Sequence, residues 1–563
     1  MSSRLSKTES SPVLPKGKKS HRAPSFAAQA ILTSFAQNDL AAIGLDFDKF
    51  GKQPAELPPT AQLLTGGGDA RILCGPDGFN RYGCSARPDP ALLAYGSSTA
   101  SIISEAGFAA ASALRKRLVS TARVESAPVT YERETDRIRR ELTRLCGLDE
   151  LTGLQTILGA SGTDLHLFAS QLMVDTQALA PLIVRVEAGE TGTGVPDALA
   201  GRHFSDCAAL GDTVVAKAPL DCGRQIDIFE VRCRAKDGKL RQQVAVDAEV
   251  SEVVANAAKT GRRILLTVVD VSKTGILAPS PACVDSLRRR FPKLIEVLVD
   301  ACQFRLAPST LKAYLEHDFL VAITGSKFVT GPTFCGALFV PEAAALRFRT
   351  RTLPQALRSY SARADWPRNW AARYDLDPAA NYGLLLRWEA ALTELRAFRR
   401  LPEAAVADFL NAFAKAITRH IDKNPAFELL PAPKLNRAPL VRAESWDHLP
   451  TIFSFLLLRP APSGETIWLT QDKTKKVHEL LREDLRKLPV TASRELLSAR
   501  CQLGQPVACG TRGGVPVSAL RLCASTRLIL DALSPKGRGA RAVIADAITA
   551  LDKAALLASL PLT

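Results

Sequence analysis

"VLVDACQFRLAPSTLKAYLEHDFLVAITGSKFVTGP", residues 297–332, holds two short apolar runs that each close on polar side chains. The first delivers Asp300 and Gln303; the second delivers Ser326 and Lys327. Both runs are β-branched and nearly unbroken by polar residues, the pattern of strands covered on both faces. A helical stretch between them predicts parallel strands joined by a crossover. An acid, an amide and an amine therefore reach the strand ends, where open α/β sheets bind ligands.

The same alternation extends to either side. "GLQTIL" leads into "GASGTD" (159–164), "PLIVRV" into "EAGETGTGVP" (187–196), and "RRILLTVVDV" into "SKTG" (272–275). The spacing predicts an α/β layer with a mainly parallel sheet over 126–345. A helical connection follows over 346–425, with one helical stretch from about 380 to 421. Shorter strands such as "TIFSFLLL" and "VSALRLCAS", then a closing helix, predict a smaller α+β domain over 426–563. Upstream, residues 1–25 read as a disordered basic tail without an apolar signal core, and 26–125 as a segment of short helices and turn-rich loops.

Composition narrows the class. The 563 residues are 46% hydrophobic and 23% charged, as in an ordinary globular protein. The net charge of +16 is spread along the chain as Arg, and no basic-aromatic recognition motif accompanies it, so nucleic acid is not an expected partner. No apolar run reaches the roughly 18 residues of a membrane span. Twelve cysteines form no C-x-x-C pair and no zinc spacing, which predicts small core fillers in a reducing, cytoplasmic setting and no metal site.

A lysine at a strand end can carry an aldehyde as a Schiff base when its amine is desolvated enough to be neutral. Pyridoxal phosphate uses such a lysine, with a carboxylate to keep its ring nitrogen protonated and an anchor for its phosphate. Lys327 and Asp300 can supply the first two. "GASGTD" ends a strand and opens a helix, so the N–H groups of Gly162 and Thr163 can hold phosphate, with hydroxyls from Thr163 and Ser326.

With these residues the chain resembles the fold-type I pyridoxal-phosphate enzymes, in particular the class V aminotransferase/cysteine desulfurase-like group. "DACQ" matches that group's D-x-x-Q, and "SKFVTGPTFCGALFV" its lysine followed by a G-P-x-G-x-G-A-L-like stretch. The resemblance implies Schiff-base formation on Lys327, pyridinium pairing for Asp300, and a hydrogen bond from Gln303 to the ring's phenolic oxygen. It puts Ser272 of "VSKTG" in the place of a cofactor-facing Asn, and nominates Arg521 of "ALRLCAS" for the substrate carboxylate. Arg387 and Arg442 are alternatives for that role, and Ser98 of "YGSSTASII" is a further substrate contact.

The resemblance also implies a homodimer and an amino acid or amine substrate, with aminotransferase favoured. The alternatives are a lyase or decarboxylase, or a non-catalytic binding or regulatory protein with the same fold.

Several residues have blander readings. Taken alone, Lys327 is a surface lysine at a strand end; Asp300, Gln303 and "SGTD" in sequence order give it chemistry. Lys273 is the rival amine, but it precedes Asp300, whereas the group places its lysine after the acid. No aromatic stands where one should stack on the ring, which leaves Glu190 and Thr191 as candidates. His166 reads as packing on its own helix, Asp270 as ordering a turn, and Cys302 and Cys335 as fillers. Cys501 and Cys509 sit in no recognisable loop motif, which disfavours persulfide chemistry.

Overall fold

Unbroken burial marks the centre of the molecule: "ILLTVVD", "IEVLVDA" and "LVAIT" have every residue buried in the computed structural model. The structure describes residues 57–561 apart from 176, 224, 443 and 461–465. The expected tail at 1–25, and 26–56 of the following segment, lie outside the described residues.

Along the chain the strands are β1 (Leu92–Tyr95), β2 (Gln155–Gly159), β3 (Leu182–Val186), β4 (Asp227–Val231), β5 (Ile264–Asp270), β6 (Leu277–Ala278) and β7 (Ile295–Ala301). They continue as β8 (Leu320–Thr324), β9 (Gly336–Val340), β10 (Phe427–Leu429), β11 (Ile452–Pro460), β12 (Thr466–Trp468), β13 (Arg500–Arg512) and β14 (Val515–Cys523).

The large sheet has the order β2-β9-β8-β7-β5-β3-β4, with β6 paired to β5. Parallel pairing joins β8, β7, β5, β3 and β4. β9 runs antiparallel between β2 and β8. The sheet is thus mainly parallel, as expected, and its parallel strands put their C-terminal ends on one side. The smaller sheet has the order β1-β13-β14-β11-β10, with β12 on β11. Its first strand comes from the segment before the large sheet: β1 pairs parallel with β13, Leu92 opposite Arg500. Both sheets belong to one compact unit.

The helices that matter here are α1 (Glu105–Thr121), α2 (Ala127–Leu145), α3 (Gly162–Met173), α4 (Tyr382–Phe398), α5 (Glu403–Lys423) and α6 (Ala540–Ser559). α4 is buried around most of its circumference against α1 and α2, which suits a helix apolar on nearly every side. The expected single helix from 380 to 421 is two. Pro402 stands at the N-cap of α5, where its ring and missing N–H forbid continuation from α4. Among the described residues no helix is long and apolar enough to cross a membrane, and no cluster of His, Cys, Asp and Glu could hold a metal ion.

Candidate functional site

Asp300 lies next to the last residue of β7, in register with Val269 of β5 and Ala322 of β8. Its buried carboxylate faces His166 of α3, with Nε2 3.3 Å from Oδ2. The other ring nitrogen, Nδ1, is 2.7 Å from the Gly162 carbonyl. A carbonyl only accepts, so Nδ1 carries a proton; bonding the carboxylate through Nε2 requires a second one. The ring is then imidazolium. Burial opposes charge on both groups, but the ion pair prevails: His166 is shifted up and Asp300 is held well below the usual carboxylate range. The expected helix contact of His166 is present through Nδ1; its contact with Asp300 is the one that sequence reasoning missed.

Lys327 follows β8 and is half-buried. Its backbone carbonyl accepts a hydrogen bond from Ser101 Oγ at 3.0 Å. Gln303 donates through Nε2 to the Ser98 carbonyl at 2.9 Å, and its Oε1 lies 3.4 Å from Arg305 Nε. Arg305, wholly buried, also donates to Ser97 Oγ and to the Ala524 carbonyl. Residues 97–101 therefore form a strap that pins both Gln303 and Lys327. Ser98 takes part through its carbonyl; its Oγ is buried and has no partner. Ser326 is buried beside Lys327.

On the far side of Asp300, α3 begins directly after β2. Ser161 caps it, accepting from the N–H groups of Thr163 and Asp164 at 3.1 and 3.3 Å. The Thr163 N–H nominated for phosphate is thus occupied by the cap. Gly162 is required here because a Cβ would stand 2.7 Å from Cys302 Sγ and 3.1 Å from Thr324 Cγ2. Thr163 Oγ1 accepts from both terminal nitrogens of Arg71 at 3.2 Å. Arg71 is itself buried, clamped bidentately by Asp69 at 2.7 Å and stacked between Phe334 and Phe204. Nothing local in "TGGGDAR" marks this arginine, which meets α3 from 92 residues away. The Asp164 carboxyl accepts from Ser161 Oγ, and burial pushes it up to about 7.

Beyond β5 the turn 271–276 is organised by Ser272. Its Oγ donates to Glu190 Oε2 at 2.6 Å and accepts from the N–H groups of Thr274 and Ile276. Glu190 also pairs with Arg234 at 2.9 Å and accepts from Thr274. This explains why the two sequence candidates, Ser272 and Glu190, hold each other. With its donor committed to Glu190, Ser272 serves the turn, and its neighbour Lys273 lines the pocket instead. Asp270 is clamped bidentately by Arg437 and so orders that region.

Arg521 of β14 is buried behind the Lys273 turn, donating to the Lys273 carbonyl, to Thr99 Oγ1 and to the Gln505 carbonyl. Its Nε has no partner. Arg387, the alternative, donates to the carbonyls of Leu64, Gly66, Gly67 and Phe334, a structural duty; Arg442 is exposed. The structure therefore leaves Arg521 as the nominated arginine nearest the site.

Asp300, Gln303, Lys327, Lys273, Glu190, Thr191 and Cys302 line one cavity of about 10 Å³, room for one water. No aromatic side chain lines it, and Thr191 Oγ1 is buried there without a partner. Cys501 and Cys509 lie within β13, their thiols pushed up by burial, Cys501 to about 11, and so are not poised as thiolates.

The architecture is the α/β layer expected from the sequence, with a polar cluster at the strand ends of the large sheet. No protein-family model and no curated protein sequence matches the chain. Among solved structures, the cysteine desulfurase CsdA of Escherichia coli is similar over 83% of this chain and 95% of its own, at 13% identity and a TM-score of 0.46. The cystine C–S lyase C-DES, in complex with cysteine persulfide, is similar over 81% of this chain and 97% of its own, at 14% and 0.47. The serine palmitoyltransferase of S. paucimobilis is similar over 75% and 77%, at 12% and 0.41. At these identities and scores the likenesses carry no argument.

Proposed function

We propose that the protein is a pyridoxal-phosphate-dependent enzyme acting on an amino acid or a related amine. One observation carries the reading: the Asp300 carboxylate, ionised and paired with His166, shares a single cavity with Gln303 and the Lys327 amine. When bound, pyridoxal phosphate supplies an aldehyde for that amine and an electron-withdrawing ring that eases bond breaking at the substrate's α-carbon.

The donor set fits the group. Asp300 would hold a proton at the ring nitrogen, and His166 keeps Asp300 ionised and aimed. Gln303, fixed by Ser98 and Arg305, would orient the ring. The first turn of α3, with Thr163 and Arg71, would hold the phosphate. Buried polar atoms without partners at Ser98, Thr191 and Arg521 surround this region, ready for a ligand. The cavity of about 10 Å³ has to widen for the group to enter. Lys327 would then take the proton from the substrate's α-carbon, and Arg521 would receive its carboxylate.

Transamination, the sequence-based preference, and elimination use the same residues and differ in where the proton is next delivered. The second amine in the cavity, Lys273, favours elimination by a lyase. A homodimer in a cytoplasmic setting belongs to the same reading. A second reading, a non-catalytic module on this fold, is favoured by the small cavity and its lack of a stacking ring.

Purified protein incubated with pyridoxal phosphate decides between them. The enzyme reading expects a yellow protein, bleached by borohydride, with the label on Lys327. Colourless protein overturns it. Amino-acid half-reactions then separate the chemistries: a cofactor left as pyridoxamine means transamination, and one returned to the aldehyde with product release means a lyase.

A further inference from the structure

Two amines line the cavity, and only one has a role so far. Asp300 stands on β7, in register with Val269 on one side and Ala322 on the other. Lys273 lies four residues beyond Val269 and Lys327 five beyond Ala322, so the amines reach the cavity from both flanks of the acid. Neither amine makes a hydrogen bond or ion pair with a described residue.

Lys273 is also held in place. Its N–H donates to the Glu190 carbonyl at 3.0 Å, and its carbonyl accepts from Arg521. The charged groups around it are Arg521 from β14, Lys327 beyond β8, Glu190 after β3 and Asp300 on β7. Burial, Arg521 and Lys327 lower its amine to about 7, against Glu190 and Asp300, which raise it. An amine titrating there is present in both forms at neutral pH, as a proton donor needs.

We propose that Lys273 is a second proton-transfer residue, protonating the group that departs from the substrate's β-carbon while Lys327 serves the α-carbon. The inference rests on the pyridoxal-phosphate reading. In the step, the α C–H bond breaks and its proton passes to Lys327 Nζ. The electron pair left on the α-carbon forms the α–β double bond, the β-carbon–heteroatom bond breaks with its pair on the heteroatom, and that atom takes a proton from Lys273 NζH3+. No outside oxidant or reductant is consumed.

The test has two parts. Trace acetylation of the full-length protein without added cofactor, read by peptide mass spectrometry across pH, is expected to label Lys273 half-maximally near pH 7. Ordinary exposed lysines follow a midpoint of about 10.4. Lys273 tracking those lysines overturns the inference.

In the second part, wild type and Lys273→Met, loaded with pyridoxal phosphate, are given L-serine or β-chloro-L-alanine, and pyruvate is measured. Chloride leaves without a proton. The variant is therefore expected to keep borohydride labelling of Lys327 and turnover of β-chloro-L-alanine, and to lose at least about 100-fold with L-serine. Equal losses with both substrates, no loss with either, or no turnover of either by the wild type overturns it. A wild type that takes up no cofactor overturns the enzyme reading and this one together; a yellow wild type with a misbehaving variant overturns only this one.

Discussion

Burial raises a carboxyl's pKa and a neighbouring cation lowers it. Asp300, facing α3, and Asp164, in its first turn, end on opposite sides of that contest. Asp300 has His166 at 3.3 Å and stays ionised. Asp164 accepts from a serine hydroxyl, and burial together with the Asp69 charge outweighs Ser161 and Arg71 and pushes it up to about 7. For Asp164 the folded state therefore binds more protons than the unfolded chain between the ordinary carboxyl range and about pH 7, so its contribution to stability falls as pH rises through that window. Asp164→Asn keeps an acceptor for Ser161 and removes the charge. It is expected to be more stable than wild type at pH 8, by about 1 kcal/mol or more, with the gap closing towards pH 4. Thermal unfolding at the two pH values measures this; equal melting temperatures at pH 8 would refute it. The chemical identity of Asp300 and Lys327 was readable from the sequence. The charge state of Asp164 was not, because it depends on what surrounds it.

At the scale of elements, the helix–strand junction at α3 is the tightest feature near the site. Gly162→Ala would drive a Cβ into Cys302 Sγ at 2.7 Å and so lift the first turn of α3 away from β7 and β8. We expect a cost of about 1–3 kcal/mol and weaker cofactor uptake. Adding Cys302→Ala should restore much of the stability, since the clash is with its sulfur; additive losses in the double variant would show that the clash is not the cause.

The apolar runs of β5, β7 and β8 were legible because burial on both faces keeps them mostly apolar, with Thr267 and Glu296 the exceptions before the closing acids of β5 and β7. β4 was not: its residues are mostly half-buried at the sheet edge, and "DIFEV" mixes polar with apolar. β9 was visible as a motif, but its antiparallel direction depends on its pairing with β2 and β8, which no local pattern encodes.

At the scale of the molecule, the site is closed by chain segments remote in sequence. Arg305 joins Gln303 on the large sheet to Ser97 in the strap and to the Ala524 carbonyl just past β14, 219 residues away. Arg305→Met would leave the Gln303 side-chain oxygen without its donor, and Ser97 Oγ and the Ala524 carbonyl with only each other. A loss of about 2–4 kcal/mol is expected, and Gln303 loses the neighbour that holds its carbonyl. Calorimetry together with cofactor titration checks it; an unchanged melting temperature would mean that the strap is held by other contacts.

By itself the sequence determined an α/β sheet with an acid, an amide and an amine at its strand ends, because hydrophobic period and strand-end chemistry are local properties. Only the tertiary structure decided that Arg71 meets α3, that His166 faces Asp300 as well as its own helix, and that Lys273 shares the cavity in place of Ser272. Each of those outcomes depends on which distant group arrives to satisfy a buried charge or hydrogen bond. Such pairings join segments far apart in the chain, which no local pattern encodes.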